Sequence, residues 1–131
     1  MGKFLTALCL LALFLYAPQE PFAKGAPATI ISVKEAAALL DKGDVIILDV
    51  RTPAEFAQGH LPGARNMDFF GGRFDHDAAN LPADRQILLY CSSGKRSAGA
   101  AEALKGAGVK KILDMHQGFQ AWEKAGMPVE K

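Results

Sequence analysis

The chain is short of cysteine. It carries two, Cys9 and Cys91, and Cys9 lies inside an apolar run near the N-terminus. Once that run is removed a single thiol remains, so no intrachain disulfide can form. An excess of charge of one sign is missing too: 15 Lys and Arg stand against 14 Asp and Glu, a formal net charge of +1. That balance excludes the basic footprint of a nucleic-acid binder and the polybasic patch of a membrane-surface protein. No apolar run is long enough to span a bilayer. Phe4 to Ala17 gives 14 residues, where a spanning helix needs roughly 20. Repeats and low-complexity blocks are absent, and 131 residues suit one domain.

The apolar run follows Lys3, a minimal positive n-region, and fits the hydrophobic part of a secretory signal peptide. Small residues downstream offer cleavage after Ala23 or after Ala28, whereas Pro18 disfavours a cut after Ala17. The expected organisation is a signal peptide and short spacer over residues 1–28 and one domain over 29–131. The expected location is outside the cytoplasm, periplasmic in a Gram-negative source, with no stable membrane association after cleavage. An uncleaved anchor is the alternative. Removing 1–28 leaves 13 basic and 13 acidic residues. About a hundred residues suffice for a single core without covalent staples. A lone cysteine in an exported protein invites unwanted pairing, so Cys91 calls for a use.

Strand and helix signals alternate along the rest of the chain. "ATIIS" (28–32), "VIILDV" (45–50), "QILLY" (86–90) and "KKILDM" (110–115) read as strands, the two central ones as apolar runs buried on both faces. "HLPGARNM" reads as loop and a strand piece. Ser32-Val33-Lys34-Glu35 and Thr52-Pro53-Ala54-Glu55 are capping boxes that start helices ending near Gly43 and Gly59. Ser97 to Lys105 and Phe119 to Gly126 read as two more helices. Residues 68–85 hold loop signals and no periodicity. The pattern predicts an α/β fold, a small parallel sheet with helices on both faces. Sites in such sheets form beyond the carboxyl ends of the strands, where Asp49 and Cys91 fall.

"YCSSGKRS" (90–97) joins a strand end to a helix start. Free amides at a helix N-terminus gather around an anion, and Gly94 allows the backbone angles of a tight cradle. Lys95, Arg96 and the helix dipole favour thiolate over thiol. Cys91 is therefore a candidate nucleophile, not a structural strand-end cysteine. Asp75-His76-Asp77 and His116 read as solvated loop residues, because no partner cluster exists for a metal. No metal and no cofactor are expected.

Three segments resemble the single-domain rhodaneses, a sulfurtransferase family. "DVRTPAEFAQGHLPGARN" (49–66), "CSSGKRS" (91–97) and "HQGFQAWEKAGMPV" (116–129) carry the likeness, with Gln117 where a glycine is usual. The resemblance implies a rhodanese-like fold over 29–131. It implies that Cys91 takes a sulfane sulfur from a small anionic donor such as thiosulfate, becomes a persulfide, and passes the sulfur to cyanide or a thiol. Ser92, Ser93, Gly94, Lys95 and Arg96 would bind the substrate. Asp49, Arg51 and Ser97 would support the loop: Asp49 by accepting from Ser97 or Arg96, with a simple strand cap as the alternative for Asp49, and Arg51 by pairing with Glu55. His60 reads as a hydrogen-bonded turn residue. Nothing calls for an oligomer, so a monomer is expected. The rivals are a phosphatase of related fold and a non-enzymatic binding or sulfur-carrier module. Related phosphatases place five residues between cysteine and arginine. Here four, Ser92 to Lys95, intervene, which makes a smaller cradle.

Overall fold

A computed structural model describes residues 27–131. The expected signal segment, residues 1–28, lies outside the described residues except for its last two. Five strands form one sheet: β1 (Thr29–Ile30), β2 (Ile46–Asp49), β3 (Arg65–Asn66), β4 (Gln86–Tyr90) and β5 (Lys111–Asp114), in the order β1-β5-β4-β2-β3. Every pairing is parallel. The register sets Asp49 level with Tyr90, and Leu89 level with Asp114. The carboxyl ends of the three middle strands therefore form one row.

Five helices cover the sheet: α1 (Val33–Lys42), α2 (Pro53–Gln58), α3 (Phe74–Ala79), α4 (Lys95–Gly106) and α5 (Gly118–Lys124). Ile46, Leu48, Ile87, Leu89 and Ile112 pack on one face with Phe74 and Ala78 of α3 and Ala100, Ala101 and Leu104 of α4. Ile47, Leu88 and Tyr90 pack on the other with Val33 and Ala36 of α1 and Phe119 and Trp122 of α5. Each central strand feeds both layers, which is why its sequence is apolar without alternation. Both capping boxes form. Ser32 Oγ accepts from Glu35 N at 3.1 Å and Glu35 Oε1 from Ser32 N at 3.2 Å. Thr52 Oγ1 accepts from Glu55 N at 3.2 Å and Glu55 Oε2 from Thr52 N at 2.9 Å.

The structure departs from the sequence reading in places. Residues 68–85 contain α3, so Asp75, His76 and Asp77 are helical. Its N-cap, Arg73, makes no side-chain cap bond, and only Phe74 and Ala78 face the core. Six residues with one buried pair leave no detectable period. Helix α4 starts at Lys95, two residues before Ser97. β1 is confined to Thr29–Ile30 at the sheet edge. Among the described residues no helix is long and apolar enough to cross a membrane.

Candidate active site around Cys91

Cys91 follows β4 directly and is 1 % exposed. The chain then turns through Ser92, Ser93 and Gly94 into α4. Gly94 caps α4 with φ 102. A Cβ there would lie 2.4 Å from the carbonyl oxygen of His116 and 2.8 Å from its ring, so no other residue fits without displacing backbone. The Gly94 amide donates to Cys91 Sγ at 3.0 Å. Burial pushes the thiol up, but the amides of Ser97, Gly94 and Ser93 and the Ser97 hydroxyl outweigh it and hold Cys91 below an ordinary thiol.

The loop is held from behind by α5. Phe119 N donates to Cys91 O at 2.8 Å, and Gln120 N to Ser92 O at 3.2 Å. Gln120 Nε2 also donates to Ser92 Oγ at 3.1 Å. Gly118, with φ 76, lets α5 approach this closely, since a Cβ would sit 2.3 Å from Ser92 O. Gln117 adopts φ −65 and ψ −20. That is an ordinary helical conformation, so the residue that replaces the usual glycine strains nothing.

The supporting residues pair differently from the sequence expectation. Asp49 accepts from neither Ser97 nor Arg96. Its Oδ1 accepts from Arg51 N and Nε, both at 3.0 Å; its Oδ2 accepts from Arg51 Nη2 at 2.6 Å and from the Tyr90 hydroxyl at 2.7 Å. Arg51 does not pair with Glu55. Besides Asp49 it donates to Gly59 O at 2.7 Å and lies over the Phe119 ring, 4.2 Å from its centre. Leu61 N donates to the Tyr90 oxygen at 3.0 Å. Burial and the Asp49 charge push the Tyr90 phenol far above its usual range. This buried network braces β2, β4 and α5 on the face away from α4.

Glu55 pairs with Arg96 instead, Nη1 to Oε2 at 2.7 Å and Nη2 to Oε1 at 2.9 Å. Arg96 and the Thr52 cap hold the Glu55 carboxyl down at about 2, against some desolvation. The guanidinium is thus already matched by a carboxylate, although it still feels the Cys91 sulfur. Ser93 and Lys95 are exposed, Ser92 is half-buried, and Ser97 is buried with its hydroxyl donating to Gly94 O at 3.1 Å. His60 is buried, stacks on Phe56 at 3.7 Å and places Nδ1 2.9 Å from Phe56 O. A polar cleft of about 310 Å³ adjoins the loop at Ser92, lined by Arg51, Glu55, Gln58, Gln120 and Glu123 among others. Among the described residues no three His, Cys, Asp or Glu gather as a metal site.

Sequence reasoning missed Tyr90 and Asp114 as polar partners at the strand ends. Tyr90 was legible only as a β residue before the cysteine. Asp114 carried a signal, an acid inside an apolar strand run.

The comparisons with known proteins place the fold in a family. The rhodanese-like domain profile matches residues 32–125, and the chain belongs to that family. It is 36 % identical over 91 residues to a sulfurtransferase of Allochromatium vinosum, covering 70 % of this chain and 83 % of that one. It is 36 % identical over 95 residues to the thiosulfate sulfurtransferase GlpE of Pseudoalteromonas translucida, covering 72 % and 89 %. Among solved structures, a Rhodopseudomonas palustris protein of unknown function, described as a possible tyrosine phosphatase, is 30 % identical with a TM-score of 0.68, covering 79 % of this chain and 78 % of that one.

Proposed function

We propose that this protein is a thiosulfate sulfurtransferase that works through a persulfide on Cys91. The observation that carries this reading is the Gly94 amide donating to Cys91 Sγ at 3.0 Å in a loop whose amides hold the thiol below its ordinary range. The Cys91 thiolate attacks the outer sulfur of thiosulfate. An S–S bond forms, the sulfur–sulfite bond breaks, and sulfite leaves with the electron pair. Cyanide or a thiolate then attacks the outer sulfur of the persulfide, and Cys91 departs as thiolate. No general base is needed, because the Cys91 thiolate and the cyanide anion attack without losing a proton. Ser92, Ser93, Gly94 and Lys95 surround the incoming anion, and Arg96 contributes field through the loop.

A phosphatase reading fits less well. Four residues separate Cys91 from Arg96, and the guanidinium is engaged by Glu55 on both of its terminal nitrogens. A phosphatase arginine has to grip the phosphate instead. Export with loss of residues 1–28 is part of the proposal, and N-terminal sequencing of the secreted fraction tests it. For the chemistry, intact mass spectrometry decides. Thiosulfate should add one sulfur atom and cyanide should remove it, releasing thiocyanate. A chain that stays at its original mass yet hydrolyses an aryl phosphate through Cys91 overturns the reading.

A further inference from the structure

Transfer through Cys91 needs a place for the molecule that takes the sulfur away. The polar cleft beside the loop lies between α2, through Glu55 and Gln58, and α5, through Phe119, Gln120 and Glu123, and Ser92 forms one wall. Adjacent Cα atoms are about 3.8 Å apart, so this wall starts one residue from Cys91. The volume of about 310 Å³ is at the small end of the roughly 300–1,000 Å³ of small-molecule sites. That suits a compact ligand.

The charged groups of the cleft are not equally free. Arg51 is 4 % exposed and is spent on Asp49 and Gly59 O. Glu55 holds Arg96 with both carboxylate oxygens. Gln58 and Gln120 are neutral. Glu123 is exposed and, among the described residues, forms no salt bridge. It follows Gln120 by three residues, about 4.5 Å farther along the axis of α5 from the contact with Ser92. The uncompensated charge of the cleft is therefore a single carboxylate. Lys95, the exposed cation of the loop, is not part of the lining.

We infer that this cleft is the acceptor subsite and that Glu123 selects a small thiol bearing a cationic group, such as an aminothiol. The inference rests on persulfide transfer at Cys91. A dianionic donor is repelled by Glu123 and favoured by the loop amides and Lys95, so donor and acceptor are sorted by charge between adjoining places. In the transfer the acceptor thiolate attacks the outer sulfur and a new S–S bond forms. The bond to Cys91 Sγ breaks, and Cys91 leaves as thiolate with the electron pair. The ammonium of the acceptor rests against Glu123 and takes no part in bond making.

Two series of reagents with equal spacers test this. Cysteamine, mercaptoethanol and mercaptoethanesulfonate differ in the charge of the end group. Protein loaded from thiosulfate and freed of donor should pass its sulfur to cysteamine faster than to mercaptoethanesulfonate at equal thiolate concentration. Glu123→Gln keeps the shape and removes the charge. At low salt it should cut the cysteamine-to-sulfonate rate ratio roughly two- to five-fold, the effect of one exposed charge, and leave mercaptoethanol unchanged. Near ~1 M salt the two proteins should agree. Aminoethyl and sulfonatoethyl methanethiosulfonate read the cleft without any persulfide: the Cys91 thiolate attacks the sulfenyl sulfur and methanesulfinate leaves. Their rate ratio on unloaded protein should fall by a similar factor in Glu123→Gln. Glu102→Gln removes an exposed carboxylate of α4 and should leave both ratios unchanged. A native preference for the sulfonate thiol overturns the inference. So do ratios that Glu123→Gln leaves unmoved or that Glu102→Gln shifts equally. A protein that thiosulfate never loads sinks the transferase reading instead, and the thiosulfonate ratio then still decides whether the cleft selects cations.

Discussion

Replacing Glu55 with Gln separates the charge of this side chain from its shape. The carboxamide oxygen can still accept from Thr52 N and complete the capping box, so only the ion pair with Arg96 is lost. Glu55 is held at about 2 against an ordinary 4.5, a gap nominally equal to about 3 kcal/mol. The side chain is 36 % exposed, and water screens such pairs, so the working figure is about 1 kcal/mol. In a domain of this size that lowers the melting temperature by about 4 °C or slightly more. The pH dependence has a defined sign. A depressed carboxyl stabilises the fold above its unfolded value and loses that contribution as pH falls through the folded one. The difference between native and variant proteins should therefore be full above 4.5 and close as pH falls toward 2. The variant should also change the chemistry. An uncompensated Arg96 beside the sulfur favours the thiolate and attracts an anionic donor. The KM for thiosulfate should fall at low salt, and the gain should disappear near ~1 M salt, where screening is almost complete. Urea melts across pH and thiosulfate kinetics across salt test the two halves separately. If Glu55→Gln melts with the native protein at every pH and shows the native salt dependence, the Arg96 ion pair neither ties α2 to α4 nor restrains the charge at the loop.

Other expectations follow from the same contacts. Cys91→Ser should take up no sulfur from thiosulfate by intact mass, because an alcohol in this loop stays protonated. Alkylation of native Cys91 against pH should give a midpoint below the ordinary thiol value of about 8.5; an equal or higher midpoint means that burial outweighs the amides. Gly94→Ala must adopt φ 102 and meet His116 O at 2.4 Å; the left-handed backbone alone costs about 1–2 kcal/mol, and both stability and sulfur loading should fall. Tyr90→Phe leaves Leu61 N–H and Asp49 each short of a partner and should destabilise by about 1–3 kcal/mol, with the alkylation midpoint of Cys91 nearly unmoved.

The cysteine loop was legible in the sequence because its parts are contiguous. Apolar strand, cysteine, small residues, glycine and helix start follow one another, and the free amides of a helix start need no distant partner to be inferred. The central strands were legible for a similar reason: burial on both faces leaves an unbroken apolar run. The side-chain pairs were not. Glu55 finds Arg96, and Asp49 finds Tyr90, each across 41 residues, so sheet register decides them. The expected pairing of Arg51 with Glu55 does not form: Arg51 stands before α2, which begins at Pro53, and turns to Asp49. Helix α3 escaped notice because its two core contacts, Phe74 and Ala78, are too few to set a period.

The attachment of α5 to the loop has a consequence for how the sulfur can change its chemistry. In a trans peptide the C=O and N–H point in opposite directions. When Gln120 N takes the Ser92 carbonyl at 3.2 Å, the Ser93 N–H of the same unit is turned toward the sulfur. The loop therefore lies between two helix N-termini. One, from α5, captures its oxygens; the other, from α4, presents nitrogens to the anion. In the proposed persulfide cycle neither peptide plane would be free to flip as charge moved from the inner sulfur to the outer one and back. The loop dipoles are oriented without any substrate, which would keep the reorganisation in the proposed transfer small, and the helix farthest along the chain acts as the mould in which the turn is cast.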